Sequence, residues 1–367
     1  MAVTNFAGLN SKQKIVWSRD VWSAARDQMF VKKFLGTGPG AMIQRITELT
    51  KTEKGEKVLM QLVADLVDDG VIGDDEREGN EEEMQNFEVE LSIDLISHQV
   101  KNKGKMADQK TVINFREQAK DRLAYWLANR IDQLVFLALS GISFAYHNNG
   151  KPRVGSSFPS LAFAADVSAP SSKRHLMWNG TNLVTSNTGS ITSAYTASYK
   201  MIVDAVAYAK DHYIKPLMAG GKEYYVVLVK PGTLAQLKKD ADYQRAVVAL
   251  AQKDGAKSPW FTGGTVTIDG AVIHEHRLVY STTGAASGSK WGALGAVDGT
   301  RTLLCGAQAL GMADLGTPEW VEKKFDYDSK VGISIDKMFG LLKPKFYSIY
   351  DESVQDFGVL AIDHYLG

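Results

Sequence analysis

Asn86-Phe87-Glu88-Val89-Glu90-Leu91-Ser92-Ile93-Asp94 sets Phe87, Val89, Leu91 and Ile93 against Glu88, Glu90, Ser92 and Asp94 in strict alternation. A period of two is the side-chain repeat of a β-strand, and it gives this run one apolar and one charged face. Upstream, Val58, Met60, Leu62, Ala64 and Leu66 also fall on one side, and an acidic stretch from Gly73 to Gln85 separates the two runs. The pattern predicts one long hairpin from Lys57 to Ile96 with a charged tip. Ten residues of strand reach roughly 30 Å at about 3.4 Å per residue, and an isolated two-stranded ribbon of that length is marginal in water. Its apolar face is therefore expected to lie on another molecule, the acidic tip guarding the edge against indiscriminate pairing.

Charge is segregated along the chain, although 42 Lys and Arg balance 42 Asp and Glu. The first sixty residues carry a basic excess, residues 65–94 are almost wholly acidic, and residues 101–110 are basic again. Opposite signs on one chain suit contacts between copies, solvated faces being the plain alternative. Zero net charge argues against bulk nucleic-acid binding. With 44% hydrophobic residues, the composition is that of a globular protein long enough for two or three lobes. Cys305 is the single cysteine, so no intrachain disulfide can form and a reducing compartment is expected. Lys12, Lys14 and Arg19 interrupt the amino terminus, which reads as lacking a signal peptide, and no run reaches the length of a membrane span.

Around the hairpin, residues 11–30 can form an amphipathic helix carrying Trp17, Val21, Ala25 and Phe30, followed by the bend Gly36-Thr37-Gly38-Pro39-Gly40. This portion reads as an arm, with Trp17 and Trp22 as anchors or as ordinary packing. Residues 111–140 give the strongest helical spacing, through Leu123, Trp126, Leu127, Ile131, Leu134, Val135 and Ala138, with Asp108 as a start signal and Gly141 as a stop. Residues 142–190, rich in Gly, Ser, Asn and Pro, read as an insertion or long surface excursion. Residues 193–299 read as an α/β lobe, with a helix over 193–210, a buried strand over 223–229, a helix opened by Pro231-Gly232, and a hairpin over 265–280 turning at Asp269-Gly270. Residues 302–366 are strand-rich.

Motifs that carry chemistry are sparse. His274-Glu275-His276 is the best metal candidate, but the helical metalloprotease motif needs its two His four apart, and a strand here would place Glu275 on the other face. Asp74, Glu76 and Glu78 alternate like a calcium loop, yet the twelfth position is Gln85 instead of a bidentate Glu. The Gly36 to Gly40 run lacks the Lys and Ser/Thr of a phosphate loop, and no Gly-x-Ser-x-Gly elbow occurs. Cys305 sits in an apolar run where burial would raise its pKa. No catalytic residue, cofactor or metal is expected.

The serial order of parts resembles that of the tailed-bacteriophage major capsid proteins. It consists of Trp17-Ser18 in the arm, the Gly-rich bend before Ile43-Gln44, Leu66 to Gly73 followed by Glu78-Gly79-Asn80-Glu81-Glu82, Asp121-Arg122-Leu123-Ala124 in the helix, Ile273-His274-Glu275-His276, and Asp356-Phe357-Gly358-Val359. Within that family the chain is similar to capsid subunits of podoviruses related to the large-virion-polymerase coliphages. The resemblance implies an α+β fold, shared with herpesvirus floor subunits: an amino-terminal arm (1–55), an extended hairpin loop (56–100), a peripheral domain with a long spine helix and an insertion (101–192), an axial domain (193–299), and return strands of the peripheral domain (300–367).

It further implies copies joined as pentamers and hexamers in an icosahedral shell around double-stranded DNA, with a portal protein and a decoration or cement protein as further partners and no membrane partner. The subunit would reside in the virion capsid after assembly in the host cytoplasm. Candidate subunit-interface residues are Trp17, Trp22, Asp74, Asp75, Glu78, Glu81, Glu82 and Glu83. Arg116, Lys120, Arg122 and Arg130 could face DNA weakly, or pair within the chain with Glu117, Asp121 and Asp132. The arm begins too near Met1 to leave room for an appended scaffold. Two other readings stay open: an encapsulin-like compartment of the same fold, and an α/β enzyme with a site near His212, His274 and His276.

Overall fold

A computed structural model describes residues 29–47, 57–63, 70–73, 76–79, 81, 86–106, 115–246, 266–268, 270–348 and 350–367. Among these residues the strands form two large sheets and two small ribbons. Sheet one holds β1 (Leu35–Gly36), β2 (Ile43–Ile46), β5 (Asp94–Lys101), β13 (Leu310–Asp314), β14 (Glu319–Phe325) and β15 (Lys330–Leu342). Sheet two holds β6 (His175–Trp178), β7 (Leu183–Thr185), β8 (Leu217–Ala219), β9 (Lys222–Val229), β10 (Val266–Ile268), β11 (Ala271–Glu275), β12 (Gly299–Cys305) and β18 (Val359–Tyr365). The ribbons are β3 (Lys57–Val63) with β4 (Asn86–Ser92), and β16 (Lys345–Ser348) with β17 (Ser353–Asp356).

Sheet two is covered on both faces, which explains why its central strands read as unbroken apolar runs. In β9, Tyr225, Val227 and Val229 face helices α2 (Tyr199–Asp211) and α3 (Pro231–Lys239), together with Met201, Ile202, Val206 and Leu237. Val226 and Leu228 point the other way, toward helix α1 (Phe115–Ser140). The same alternation divides Leu303 and Cys305 from Leu304, and Val359 and Ala361 from Leu360 and Ile362. The sheet thus joins strands from 193–299 with strands from 300–367.

Helix α1 lies in the core that both sheets share, so its second half is buried all round: Leu134 to Leu139 are at most 1% exposed. From sheet one, Ile43, Met312, Ile333, Ile335 and Phe339 join the same core. Gly141 ends the helix as its spacing predicts. At φ 64°, its N–H donates to the Ala138 carbonyl and that of Ile142 to Leu137, the paired bonds that satisfy a helix carboxyl end. The expected start over residues 108–114 lies outside the described residues.

Two expectations are corrected. Residues 142–190 are no surface excursion: they carry β6, which pairs parallel with β18, and they bury Phe144, Phe163 and Trp178 at 1% exposure or less. Phe144, Phe163 and Trp178 anchor that polar segment, with Trp178 Nε1 donating to the Thr196 carbonyl at 3.0 Å. Nor does the hairpin run unbroken to Ile96. Its two strands pair from Lys57 opposite Ser92 to Val63 opposite Asn86, the chain leaves the ribbon at Ile93, and β5 joins sheet one beside β15.

Candidate assembly surface

The root of the β3–β4 ribbon is held by the chain itself. Val58, Met60 and Leu91, each at most 4% exposed, form a small core with Ile46, Ala313 and Leu342 on the face of sheet one opposite α1. At the root, this overturns the expectation that only another molecule could cover the apolar face; the side chains farther along that face lie outside the described residues. Two glycines make the fit possible. A side chain at Gly340 would place its Cβ 2.2 Å from the Ser92 carbonyl oxygen, and one at Gly311 would meet Met60 Sδ at 2.9 Å. The opposite face exposes Leu59, Glu88 and Glu90, with Lys57 paired to Glu90. Beyond the root, Glu78 and Glu81 are exposed, and Glu81 Oε2 accepts the Gly79 N–H at 2.7 Å. Trp17, Trp22, Asp74, Asp75, Glu82 and Glu83 lie outside the described residues, as do all but the last two residues of the predicted arm helix.

Where the arm enters the body, α1 grips it through a buried carboxylate. Asp132 accepts the N–H of Phe30 at 3.0 Å and of Val31 at 3.2 Å. Burial pushes its pKa up to about 6, with these two hydrogen bonds opposing the rise. The Phe30 ring stacks on His276 at 4.2 Å, and Phe136 of α1 stacks on the same imidazole at 4.9 Å and 2°. His274 meets the edge of Phe34 at 5.2 Å. Burial, reinforced by Arg277 and Lys33, pushes His276 down to about 4, so it is neutral at physiological pH. His274 and His276 therefore lie together as predicted, in an aromatic clasp. His212 belongs to another cluster, its Nδ1 2.6 Å from Asp351, whose other oxygen meets Arg174 at 3.1 Å. Among the described residues no group of three or more His, Cys, Asp or Glu is placed to hold a metal ion.

The four basic residues expected on the spine part company. Arg116 pairs with Glu322 of β14 at 2.8 Å, a partner the sequence did not suggest. Lys120 is half-buried with a partner of its own, and Arg122 is exposed. Arg130 donates to Gln133 Oε1 at 2.8 Å. Asp132, proposed as their counter-ion, is occupied by the arm backbone.

Sequence reasoning missed the buried ion pairs that fix the sheets. Asp363, fully buried in β18, accepts from Arg301 Nε at 2.7 Å and Nη2 at 3.0 Å, from Ser186 at 2.8 Å, and contacts His175 at 2.7 Å. Although burial alone would raise it, Arg301 and His175 hold this carboxyl far below the usual range. Lys343 pairs with Asp356 at 2.8 Å, and Asp314 binds both Arg45 at 2.7 Å and Lys337. Part of their signal was available: Asp314, Lys337 and Asp363 are charged residues in the largely apolar strands β13, β15 and β18.

The sequence profile of the phage capsid protein family matches residues 5–366. The chain belongs to that family. The major capsid protein of Pseudomonas phage KPP25 is 50% identical over 364 residues, covering 98% of this chain and 96% of that one. Among solved structures, the capsid of Ralstonia phage GP4 superposes with a TM-score of 0.77 at 26% identity, over 100% of this chain and 98% of the other. The capsid of cyanophage Pam1 gives 0.70 at 18%, over 100% and 96%, and supports the fold alone. This phage capsid protein thus has the α+β tailed-phage capsid fold that its sequence resembled, and it is a subunit of the virion capsid shell.

Proposed function

We propose that copies of this capsid protein close into pentamers and hexamers, and these into an icosahedral shell that encloses double-stranded DNA. The observation that carries the reading is the likeness to a solved phage capsid at a TM-score of 0.77, over 100% of this chain and 98% of that one. On this reading the protein acts structurally and not as an enzyme. Its parts are those of the resemblance: arm 1–55, extended loop 56–100, peripheral segments 101–192 and 300–367, and axial domain 193–299. The ribbon, rooted on its own sheet, extends its acidic end to the next copy through Asp74, Asp75, Glu78 and Glu81 to Glu83, while Trp17 and Trp22 anchor the arm. Rim ion pairs of this type contribute under about 1 kcal/mol each and select register more than they supply affinity. Such contacts are heterologous and close by symmetry, and multiplicity makes modest contacts durable.

Contact with DNA is weak and without base readout, centred on exposed Arg122, since Arg116 is already neutralised by Glu322. A portal protein and a decoration protein complete the partner set, and assembly takes place in the host cytoplasm. Deleting residues 68–85 tests the central claim by sedimentation. Loss of fast-sedimenting particles is expected, and normal shells would refute an assembly role for the ribbon end. Purified particles are expected to protect double-stranded DNA from nuclease; particles holding protein cargo instead would favour the encapsulin-like reading.

A further inference from the structure

The neutral charge of the chain hides a division. Between Asp65 and Asp94 lie thirteen carboxylates and one arginine, an excess of twelve negative charges. Since 42 basic and 42 acidic residues balance over the whole chain, the remainder carries the matching excess of twelve positive charges. Nine described cations of the body, Arg45, Arg116, Arg174, Lys290, Arg301, Lys324, Lys330, Lys337 and Lys343, are in ion pairs within the chain.

One cluster brings two cations together on a neutral partner. Arg130 Nη1 of α1 donates to Gln133 Oε1 at 2.8 Å, and Arg153 Nη2, from the loop after α1, donates to the same oxygen at 3.2 Å. Two guanidinium groups therefore converge on one neutral acceptor. Arg153 is fixed there, its Nε donating to the Tyr146 carbonyl at 3.1 Å and its plane 5.1 Å from the Phe158 ring. Exposed Lys151 and half-buried His147 flank the pair. Among the described residues no carboxylate forms an ion pair with Arg130, Lys151 or Arg153. Burial and the neighbouring Arg130 push Arg153 down to about 10, and burial followed by the field of Arg153, Arg130 and Lys151 lowers His147. Half-desolvated cations facing each other across one amide oxygen are completed by an oxyanion that accepts from both.

We infer that Arg130, Arg153 and Lys151 form a carboxylate-binding site, filled in the shell by the acidic ribbon (65–94) of a second copy. This rests on the shell reading above and names the surface that receives the ribbon. A phosphate of packaged DNA is the competing occupant, and the observations disfavour it. A basic track along α1 would need its cations free, yet Arg116 is paired with Glu322 and Lys120 has a partner. What is left is a pair of guanidinium groups converging on one oxygen, suited to one carboxylate, on a chain whose own ribbon supplies carboxylates in excess.

Zero-length carbodiimide coupling of wild-type shells tests this without altering the protein. Lys151 is expected to join a carboxylate within residues 65–94, and mixed isotope-labelled shells should show the joined peptides to come from different copies. Coupling of Lys151 only to acids outside 65–94, or to none, overturns the inference. As a second arm, R130E/R153E is expected to lower shell yield at least tenfold, with recovery to within threefold when Glu78, Glu81, Glu82 and Glu83 are changed to Lys in the same chain. R130E/R153E shells formed in normal yield but depleted in DNA would assign the site to phosphate and overturn the inference. Should the wild-type chain form no shells, the shell reading itself fails; shells without the Lys151 coupling defeat only the inference.

Discussion

Replacing Gly340 by alanine puts the ribbon root to the test. The added Cβ would lie 2.2 Å from the Ser92 carbonyl oxygen and 2.9 Å from Leu91 Cδ2, roughly 1 Å inside the usual carbon-to-oxygen contact of about 3.3 Å. The leucine can turn aside, but the carbonyl is backbone, so β4 must move off β15. Overpacking of this type costs about 1–3 kcal/mol. Part is offset, because losing a glycine restricts the unfolded chain and contributes about 0.4–1 kcal/mol where the native conformation tolerates alanine. The net, about 1–2 kcal/mol, falls on the ribbon and not on the sheets, and corresponds to a roughly five- to thirtyfold rise in local opening. Amide hydrogen exchange over residues 57–63 and 86–92 should quicken by that factor while α1 and β12 keep their protection. A Gly38→Ala control, with nothing within 4 Å of the new methyl, should leave the ribbon unchanged. Unaltered ribbon exchange in Gly340→Ala would refute the close approach as the reason for glycine there.

Further expectations concern the clasp and the buried pairs. Asp132 has a folded pKa of about 6 against an ordinary 3.8, so the native state binds more protons between these values; its contribution is fully present below pH 3.8 and is lost as pH rises through 6, by about 2–3 kcal/mol. Calorimetry of Asp132→Asn at fixed protein concentration should show that slope removed. His276 has the opposite sign: with a folded pKa of about 4 against 6.5, its contribution is present above pH 6.5 and lost as pH falls toward 4, so His276→Phe should flatten the acid limb of the stability profile. Arg301→Met strands the Asp363 carboxylate in the core and should cost about 3–5 kcal/mol in denaturant titration. Cys305, fully buried with its thiol pKa pushed up, should resist thiol reagents until the chain unfolds; rapid labelling of native protein would contradict its placement.

Much of this was readable from periodicity. Phe87 to Leu91 alternate and fall in β4, Gly270 stands at φ 76° just before β11 at the predicted turn, and Gly141 closes α1, because each rests on a local preference that tertiary context did not override. The ribbon's end was misjudged for a reason visible in retrospect: the buried phase shifts from odd positions at Leu91 to even ones at Ile96, with His98 and Val100 half-buried, a one-residue slip at Ile93 that marks where one strand becomes two. Residues 142–190 misled because a segment tied down by a few large aromatics and short turns has no period to detect. The Arg130 and Arg153 cluster was beyond reach for another reason. Arg130 was noticed on its helix, but its companion lies across a tertiary contact that no spacing encodes.

Helix α1, shared by the cores of both sheets, has a mechanical corollary. Close-packed interiors compress little and pass strain on whole, so a load applied at either sheet is carried through this rod to the other, and the body responds as one stiff tile. A wall laid from such tiles flexes at its seams, and the curvature it can adopt is decided where edges meet.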